Sequence, residues 1–249
     1  MGLIKMSTFL RESLGDEKWV IKDFMPEVGV TFLAASPKSG KSTVVRQMMA
    51  CVSTGSPFWG RETTRGRILY LVCDEDERDV WEHGQAVDKA YPGWGERIDC
   101  AFMRGSDRET IWNMLMQAIT DARGEKEPYS LVVLDTFADV IDPGVDLNQY
   151  QQTREALRKV TKLTQDHQLH VVCLHHVNKR GEFSGSLVDM MGSQGNRSIT
   201  NMNMLLYKDE QSGQRYITSE VRRGNPIVNR EFHYDPETKL VELGSAVFR

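Results

Sequence analysis

Short runs of aliphatic and β-branched residues alternate along this chain with longer stretches in which apolar and polar residues recur at helical spacing. The apolar runs cover residues 28–35, 67–73, 131–135 and 169–175. Each run is nearly continuous in Val, Ile, Leu and Cys, as expected for strands that are covered on both faces of a parallel sheet. The candidate helices cover residues 41–54, 77–90, 108–123 and 149–167. This alternation predicts βαβ units and a doubly wound α/β fold with helices on both faces of a mostly parallel sheet.

The pattern changes after Asn201, where short apolar runs are separated by turn residues. These runs cover residues 204–208, 215–221, 230–234 and 240–243. The segments between them, Ser-Gly, Gly-Asn-Pro and Asp-Pro-Glu-Thr, are typical of turns. The runs are therefore predicted to be antiparallel strands that extend one edge of the main sheet. Apolar residues near the N-terminus are expected to cap the core: Trp19, Val20, Ile21 and Phe24.

The length of 249 residues fits one large domain. We predict an N-terminal cap at residues 1–27, an α/β core at residues 28–200 and a C-terminal β extension at residues 201–249. No apolar run approaches the roughly 18 residues of a membrane span, and the N-terminus lacks the apolar core of a signal peptide. A cytoplasmic protein without a membrane partner is expected.

Charge and cysteine content exclude some classes of function. The net charge of −4 argues against a protein that coats nucleic acid with its whole surface, but it leaves open binding through a few basic loops. The four cysteines lie far apart and none forms a C-x-x-C pair. Neither a zinc site nor a disulfide is predicted from those spacings.

The segment Ala-Ser-Pro-Lys-Ser-Gly-Lys-Ser at residues 35–42 fits the Walker A phosphate-binding pattern, except that alanine replaces the first glycine. An apolar run precedes it and a helical stretch follows, which is the context that the pattern requires. Backbone N–H groups and the positive helix N-terminus would converge there on phosphate oxygens. The segment predicts binding of ATP with Mg²⁺. The nucleotide-binding residues are predicted to be Ser36, Pro37, Lys38, Ser39, Gly40, Lys41, Ser42 and Thr43.

Four of these residues and one distant carboxylate have specific predicted roles. Gly40 adopts dihedral angles that other residues avoid, and Lys41 supplies a positive charge to the β- and γ-phosphates. The Ser42 hydroxyl is expected to bind Mg²⁺, and Thr43 to contact the α-phosphate. The run Leu-Val-Val-Leu-Asp ends at Asp135, which is the pattern of a Walker B strand whose carboxylate binds Mg²⁺ through water.

The carboxylate that activates water is expected on a different strand from Asp135. AAA+ proteins usually carry a glutamate directly after the Walker B aspartate, whereas Thr136 follows here. The run at residues 67–73 ends in Asp74-Glu75-Asp76, and a glutamate at the tip of the strand beside Walker B is the RecA-type arrangement. Glu75 is therefore predicted to orient and deprotonate the attacking water. A solvated acidic turn, with Asp76 as a helix N-cap, remains credible for the two aspartates.

Two adjacent histidines end the last run of the predicted core, at His175 and His176. A polar pair at the carboxyl end of a parallel strand suits a sensor of the γ-phosphate, where RecA-like motors commonly use glutamine. Counting back from the Asn178-Lys179 pair, His176 takes the sensor position. A zinc site would need a third ligand, and none is close in sequence.

The ordered set of motifs resembles the RepA-type branch of RecA-like ATPases. The resemblance covers roughly residues 18–235 and rests on the segments at residues 37–43, 54–60, 66–76, 175–179 and 192–193. This family includes plasmid and phage replicative helicases that form hexameric rings around single-stranded DNA, as well as smaller recombination ATPases. The resemblance implies a homo-oligomer, single-stranded DNA, and replication or recombination proteins as partners.

The resemblance also implies an arginine that acts on the ATP of a neighbouring subunit. The segment Glu-Val-Arg-Arg-Gly-Asn-Pro at residues 220–226 resembles the one that carries this arginine finger in ring helicases, and Arg223 matches the finger. The lysine that usually lies two residues earlier is Val221 here, and Arg222 is a candidate to compensate. A basic surface hairpin is the alternative. Arg197 is a further positive charge near the site, either a second trans-acting arginine or a surface residue.

Two loops correspond to the DNA-facing loops of RecA-like rings. They are residues 136–148 and residues 178–191. The second loop carries Lys179, Arg180 and Phe183, which would suffice for binding phosphates and a base without sequence preference. The first loop is acidic, which is unfavourable for contact with DNA.

These features predict an ATP-hydrolysing motor, most simply a ring-forming single-stranded DNA translocase or replicative helicase of plasmid or phage type. A RecA-like recombination or repair ATPase is the second hypothesis. A regulatory ATPase that switches a protein partner is the third, and the acidic first loop fits it best.

Overall fold

A computed structural model describes residues 3–12, 15–35, 39–141, 150–176, 199–209 and 212–247. The strands are β1 (Trp19–Ile21), β2 (Met25–Pro26), β3 (Gly29–Ala35), β4 (Arg67–Val72), β5 (Ile98–Phe102), β6 (Tyr129–Asp135), β7 (His170–His176), β8 (Met202–Lys208), β9 (Arg215–Val221), β10 (Arg230–Tyr234) and β11 (Val241–Ala246). The helices are α1 (Met6–Phe9), α2 (Lys41–Thr54), α3 (Glu77–Ala90), α4 (Arg108–Ala122), α5 (Phe137–Val140) and α6 (Tyr150–His167), with a 3₁₀ turn at Trp94–Arg97.

Nine of these strands form one sheet in the order β11-β10-β9-β8-β3-β7-β6-β4-β5. The strands from β5 to β8 in this order pair in parallel, and β9, β10 and β11 continue the sheet in antiparallel fashion. The predicted α/β fold, with a mostly parallel sheet and antiparallel C-terminal strands at one edge, is confirmed.

One detail of the C-terminal prediction is wrong. The first of the four C-terminal strands, β8, pairs in parallel with β3 rather than antiparallel. A parallel pairing requires a crossover connection of a dozen or more residues. The segment from residue 177 to 201 has that length, whereas the short turns after β8 permit only antiparallel pairing.

Helices cover both faces of the sheet, and each face has its own apolar core. The first core includes α4, α5 and α6 with one set of alternating strand residues, such as Phe32, Leu71 and Leu134. The second includes α2 and the other set, such as Leu33 and Val133. The strands of the parallel part are apolar on both faces because each face is covered. The residues expected to cap the core, including Val20, Ile21 and Phe24, are buried in the second core.

The C-terminal strands are connected directly to α2. The Val241 backbone N–H donates a buried hydrogen bond of 2.8 Å to Gln47 Oε1. The Trp59 indole N–H donates to the Val241 carbonyl at 3.0 Å. Phe232 of β10 is buried in the second core beside α2. The β extension therefore supports the helix that follows the phosphate-binding segment.

The outer strand β5 was not predicted from the sequence. Its residues are exposed or half-buried along its length, so it lacks the continuous apolar run by which the inner strands were recognised. No helix in the described part of the chain is both long and apolar enough to cross a membrane.

Candidate active site

The phosphate-binding segment lies between the carboxyl end of β3 and the N-terminus of α2. The Gly40 backbone has φ 101°, in the left-handed region that favours glycine, and α2 begins at the next residue. A Cβ atom on Gly40 would lie 3.4 Å from the Phe232 ring. The helix N-terminus provides the positive end of a dipole and free N–H groups for an anion. Three predicted nucleotide-binding residues lie outside the described residues: Ser36, Pro37 and Lys38.

The Lys41 side chain is buried, with 7% of the residue exposed, and polar groups of two neighbouring strands surround it. Lys41 Nζ lies 3.6 Å from Asp135 Oδ1 and 3.1 Å from His176 Nε2. Burial lowers the pKa of Lys41, and the carboxylates of Asp135 and Asp74 oppose that shift. The ammonium group is thus held where a phosphate would be recognised, and its present partners are side chains that a bound phosphate could replace.

The alternation of side chains along the strands explains why these groups meet. Tyr70 and Val72 of β4 point to the α2 face of the sheet, as do Val133 of β6 and Leu174 of β7. Because side chains alternate between faces, we expect the next residue on that face of each chain segment to follow two positions later, and in all three segments it is polar. The three residues are Asp74, Asp135 and His176. The carboxyl ends of three adjacent strands therefore present polar groups to the start of α2, which is the edge where α/β sheets bind ligands.

Asp135 is held in place from the interior of the sheet. It is 1% exposed, and the Tyr70 hydroxyl donates a hydrogen bond of 3.1 Å to Asp135 Oδ2. Burial and the Asp135 carboxylate together raise the pKa of Tyr70 well above its usual value, so the hydroxyl remains a donor. The Cys73 backbone N–H donates to the Asp135 carbonyl at 2.6 Å. Tyr70 leaves Oδ1 of Asp135 directed towards Lys41.

The donor set at this edge fits a magnesium ion that is shared with a nucleotide. Ser42 directly follows Lys41, and Asp135 lies opposite. Both offer the oxygen ligands that Mg²⁺ prefers, and Mg²⁺ usually keeps several waters and binds substrate phosphates rather than a complete protein cage. In the described ranges, no group of three or more His, Cys, Asp or Glu residues could hold a metal ion.

The three carboxylates of the acidic turn after β4 have three different partners. Asp74 Oδ2 lies 3.2 Å from His176 Nε2. Glu75, the residue predicted to activate water, forms an ion pair with Arg46 of α2. Asp76 accepts a hydrogen bond from the Arg78 backbone N–H at 2.9 Å and caps α3. The N-cap interpretation of Asp76 is correct.

The two histidines face opposite sides of the sheet. His176 lies on the α2 face, where its Nε2 either accepts from Lys41 or donates to Asp74, depending on the tautomer of the ring. His175 lies on the other face with its ring centroid 5.3 Å from that of Phe32. Burial lowers the pKa of His175 to about 4. His175 is therefore a half-buried, neutral residue that packs on Phe32. His176 is the histidine beside Lys41, and its role as a sensor stays a prediction.

Arg222 and Arg223 lie near the amino ends of the parallel strands, whereas Lys41 lies at their carboxyl ends. They follow β9, whose last residue pairs with Met202 at the start of β8. The Arg222 backbone N–H donates to the Asn201 carbonyl at 2.9 Å, and Arg223 Nη1 donates to Glu17 Oε1 at 3.0 Å. A Cβ atom on Gly224 would lie 2.3 Å from the Asp23 carbonyl oxygen, and φ there is 93°. The turn that carries both arginines is thus packed closely on the N-terminal segment.

Four residues that support this site were not singled out from the sequence: Arg46, Tyr70, Asp74 and Phe232. Alternation along β4 could have identified Tyr70 and Asp74, because both share the face of Asp135. Arg46 and Phe232 give no such signal, since their positions depend on packing between distant segments. Several predicted residues lie outside the described residues and cannot be placed: Lys179, Arg180, Phe183 and Arg197.

The fold and this edge of the sheet define a RecA-like P-loop ATPase. A family model described as an AAA domain matches residues 7–182, and the chain belongs to that family, AAA_25. Among solved structures, the fold is similar to that of a KaiC-like protein from the hyperthermophilic archaeon Pyrococcus horikoshii OT3. The TM-score is 0.61 at 11% identity, over 91% of this chain and 94% of that one.

These comparisons give the class and not the biological role. The likeness to 545 matching chains of solved structures shows a widely used fold, and a fold by itself does not select a function. No curated protein sequence matches the chain.

Proposed function

We propose that this chain is one subunit of an ATP-driven ring that moves single-stranded DNA, of the RepA type found in plasmid and phage replicative helicases. The observation that carries the proposal is the separation of Lys41 and Arg223. Lys41 lies at the carboxyl ends of the parallel strands and Arg223 lies near their amino ends. An ATP site completed by a second subunit requires this division. Assembly would then place Arg223 of one subunit against the nucleotide bound at Lys41 of the next.

Within one subunit, the predicted roles follow from the contacts at the carboxyl ends of the strands. Lys41 would bind the β- and γ-phosphates, with Ser42 and Asp135 on the magnesium side. His176, within 3.1 Å of Lys41 Nζ, would sense whether the γ-phosphate is present. A carboxylate of the turn at residues 74–76 would orient water for attack.

Distance supports action of Arg223 in another subunit. β3 spans seven residues, which corresponds to roughly 20 Å at about 3.3 Å per residue. The phosphate-binding segment follows the end of β3, whereas Arg222 is bonded to Asn201 beside the start of that strand. An arginine side chain is far shorter than this span. Arg223 therefore cannot serve the site of its own chain in the described conformation.

Arg223 is also available for such a contact. Its side chain is 73% exposed, and its ion pair with Glu17 is a surface pair. Exposed pairs contribute only about 0–1 kcal/mol, so an approaching phosphate could replace Glu17 at little cost. An arginine finger stabilises the charge that spreads over the transferring phosphoryl group and contributes about 10³–10⁵ in rate.

The proposal for DNA rests on the loops that follow β6 and β7. Both strands end at the nucleotide edge, at Asp135 and His176, so a change at the γ-phosphate would be transmitted directly to the residues after them. The basic and aromatic residues of the second loop are the DNA-binding candidates of the sequence: Lys179, Arg180 and Phe183.

A regulatory ATPase that switches a protein partner is a second candidate. The predicted first loop begins instead with the short helix α5, whose residues Phe137 and Val140 are buried. Asp139 of this helix accepts a hydrogen bond of 2.5 Å from the Thr136 hydroxyl. This acidic group next to the Walker B strand would repel a DNA backbone and favours a partner other than nucleic acid. A recombination ATPase, the remaining alternative, would share the site and differ in assembly.

ATPase measurement with and without single-stranded DNA, together with sizing of the assembly, tests the proposal. We expect DNA to increase turnover and the active species to be a closed ring. A filament would favour a recombination ATPase. Turnover without any response to DNA would contradict both nucleic-acid functions and leave the regulatory one.

A further inference from the structure

We propose that Asp74, and not Glu75, is the carboxylate that orients and deprotonates the attacking water, and that Glu75 instead neutralises the buried Arg46. This inference rests on the proposed ATP hydrolysis and assigns one step of it.

The first argument is the direction of the Asp74 side chain. It continues the α2-facing series of Tyr70 and Val72 in β4. Its Oδ2 lies 3.2 Å from His176 Nε2, which in turn lies 3.1 Å from Lys41 Nζ. The Asp74 carboxylate is also close enough to oppose the burial-driven fall in the pKa of Lys41. Asp74 is thus the carboxylate of the turn that faces the expected γ-phosphate.

The second argument is access to water. The Asp74 side chain is 59% exposed, while the neighbouring Asp135 is 1% exposed. A group that must receive a proton from a water molecule has to reach that water from the open side of the site. Asp135 is fixed below by Tyr70 and lies against Lys41. Asp74 is the exposed carboxylate beside His176.

The third argument is that Glu75 already has a partner. Arg46 lies in α2 with 2% of its side chain exposed, and Glu75 forms an ion pair with its guanidinium group. Arg46 also opposes the rise in the pKa of Tyr70 and of Cys100 on the outer strand β5. The Glu75 carboxylate is therefore held by α2 at Arg46, whereas the Asp74 carboxylate lies against His176. Withdrawing Glu75 would leave a buried cation without its partner, which is strongly unfavourable.

The hydrolysis step balances with Asp74 as the base. The water oxygen forms a bond to the γ-phosphorus as the bond from that phosphorus to the β–γ bridging oxygen breaks. One water proton passes to the Asp74 carboxylate, and the electron pair of the broken bond remains on ADP. Asp74 then releases the proton to solvent, giving ADP, inorganic phosphate and H⁺ from ATP and water.

Three single variants of the full chain test the assignment: Asp74→Asn, Glu75→Gln and Asp76→Asn. The third is the matched control, because asparagine caps a helix as well as aspartate does. Asp76 caps α3 and forms an exposed ion pair with Arg104, and exposed pairs contribute little to stability. For each variant we would measure phosphate release, binding of a fluorescent ATP analogue, and the melting temperature.

The expected results differ between the variants. Asp74→Asn should lower kcat by about 10²–10⁴ while nucleotide binding and the melting temperature stay near those of the wild type. Glu75→Gln should lower the melting temperature by about 2–4 °C or more while the folded protein keeps most of its turnover. Asp76→Asn should leave both kcat and the melting temperature near those of the wild type.

A double variant separates structure from chemistry at Glu75. Replacing a buried ion pair by apolar residues of similar size is often neutral or stabilising, whereas removing one partner is not. Arg46→Met combined with Glu75→Met should therefore melt at a higher temperature than Glu75→Gln and retain turnover. A folded double variant with no turnover would contradict the structural role of Glu75.

The outcomes distinguish this inference from the proposed function. If the wild type hydrolyses ATP and Asp74→Asn is as active, or if Glu75→Gln loses turnover as completely as Asp74→Asn, the assignment to Asp74 is wrong and the ATPase function stands. A wild type that neither hydrolyses ATP nor gains activity with DNA would contradict the proposed function, and the assignment with it.

Discussion

At the scale of single residues, the site depends on ionisable groups whose partners are set by burial. Lys41 and Asp135 are both buried and lie 3.6 Å apart, so each limits the cost of burying the other. Tyr70 completes this arrangement from below, through a hydroxyl that donates to Asp135. The consequence is that the orientation of the Walker B carboxylate depends on a residue of a neighbouring strand.

Removing this hydroxyl should impair catalysis. We predict that Tyr70→Phe lowers turnover about 10–100-fold, because partners that orient a metal-binding carboxylate typically contribute this much. Tyr207→Phe is the matched control: Tyr207 is also buried, and its hydroxyl donates to Asn229 Oδ1 at 3.0 Å, away from the site. Both variants should lose similar stability in denaturant titrations. Equal turnover in the two variants would mean that Tyr70 has no positioning role.

At the scale of elements, the phosphate-binding segment is supported by a strand from the far end of the chain. The Phe232 ring of β10 lies against Gly40, and Gln47 of α2 is bonded to Val241 of β11. These contacts join the C-terminal strands to the turn at Gly40 and to the helix α2 that follows it. The strands therefore contribute to nucleotide binding without touching the nucleotide.

A change at Phe232 should consequently affect the affinity for nucleotide. We predict that Phe232→Leu lowers the free energy of unfolding by about 1–1.5 kcal/mol and also weakens binding of a fluorescent ATP analogue. Phe58→Leu provides the comparison, since Phe58 is equally buried but stacks on Trp59. It should cost similar stability and leave the affinity unchanged. Unaltered affinity in Phe232→Leu would show that Phe232 only fills the core.

The elements also show how far the sequence reaches. The inner strands β3, β4, β6 and β7 were predicted because burial on both faces imposes continuous apolar runs. β5 was not predicted because an outer strand needs no such run. The direction of β8 was not predicted because it depends on the crossover before it, which no local sequence pattern indicates. In the site, the sequence identified Lys41, Asp135 and His176 by motif. It could not show that Arg46 competes for Glu75, because that contact joins a helix to a distant turn.

At the scale of the whole molecule, the buried His170 and the half-buried His175 make stability depend on pH. Burial lowers the pKa of His170 to about 3 and that of His175 to about 4, against about 6.5 in an unfolded chain. His170 Nδ1–H donates to the Pro26 carbonyl, and its Nε2 accepts from the Thr31 hydroxyl. The unfolded chain therefore binds more protons below about pH 6.5, and stability falls as pH falls towards 4.

The melting temperature as a function of pH tests this effect. Each histidine should contribute up to about 1.4 kcal/mol per pH unit between its two pKa values. His170→Asn, in which an amide can still donate to Pro26, should be less stable near neutral pH but should lose less on acidification. His233→Gln, at an exposed position, should follow the wild type. If the wild type and both variants lost stability equally on acidification, His170 would be excluded as a cause of the pH dependence.

The largest claim at this scale is that the ATP site is completed by a second subunit. Lys41→Ala should abolish hydrolysis because the buried ammonium is lost, and Arg223→Ala should reduce it strongly because the finger is lost. Each variant keeps the part that the other lacks. Arg223→Ala has an intact phosphate-binding segment, and Lys41→Ala has an intact finger.

Mixing these two variants in equal amounts is the most direct measurement. If Arg223 acts on a neighbouring subunit, random assembly should place a competent pair at about a quarter of the interfaces, and ATPase activity should return to about that fraction of the wild-type rate. The account predicts this recovery, which neither variant shows alone. A mixture that assembles but stays as inactive as its components would contradict it.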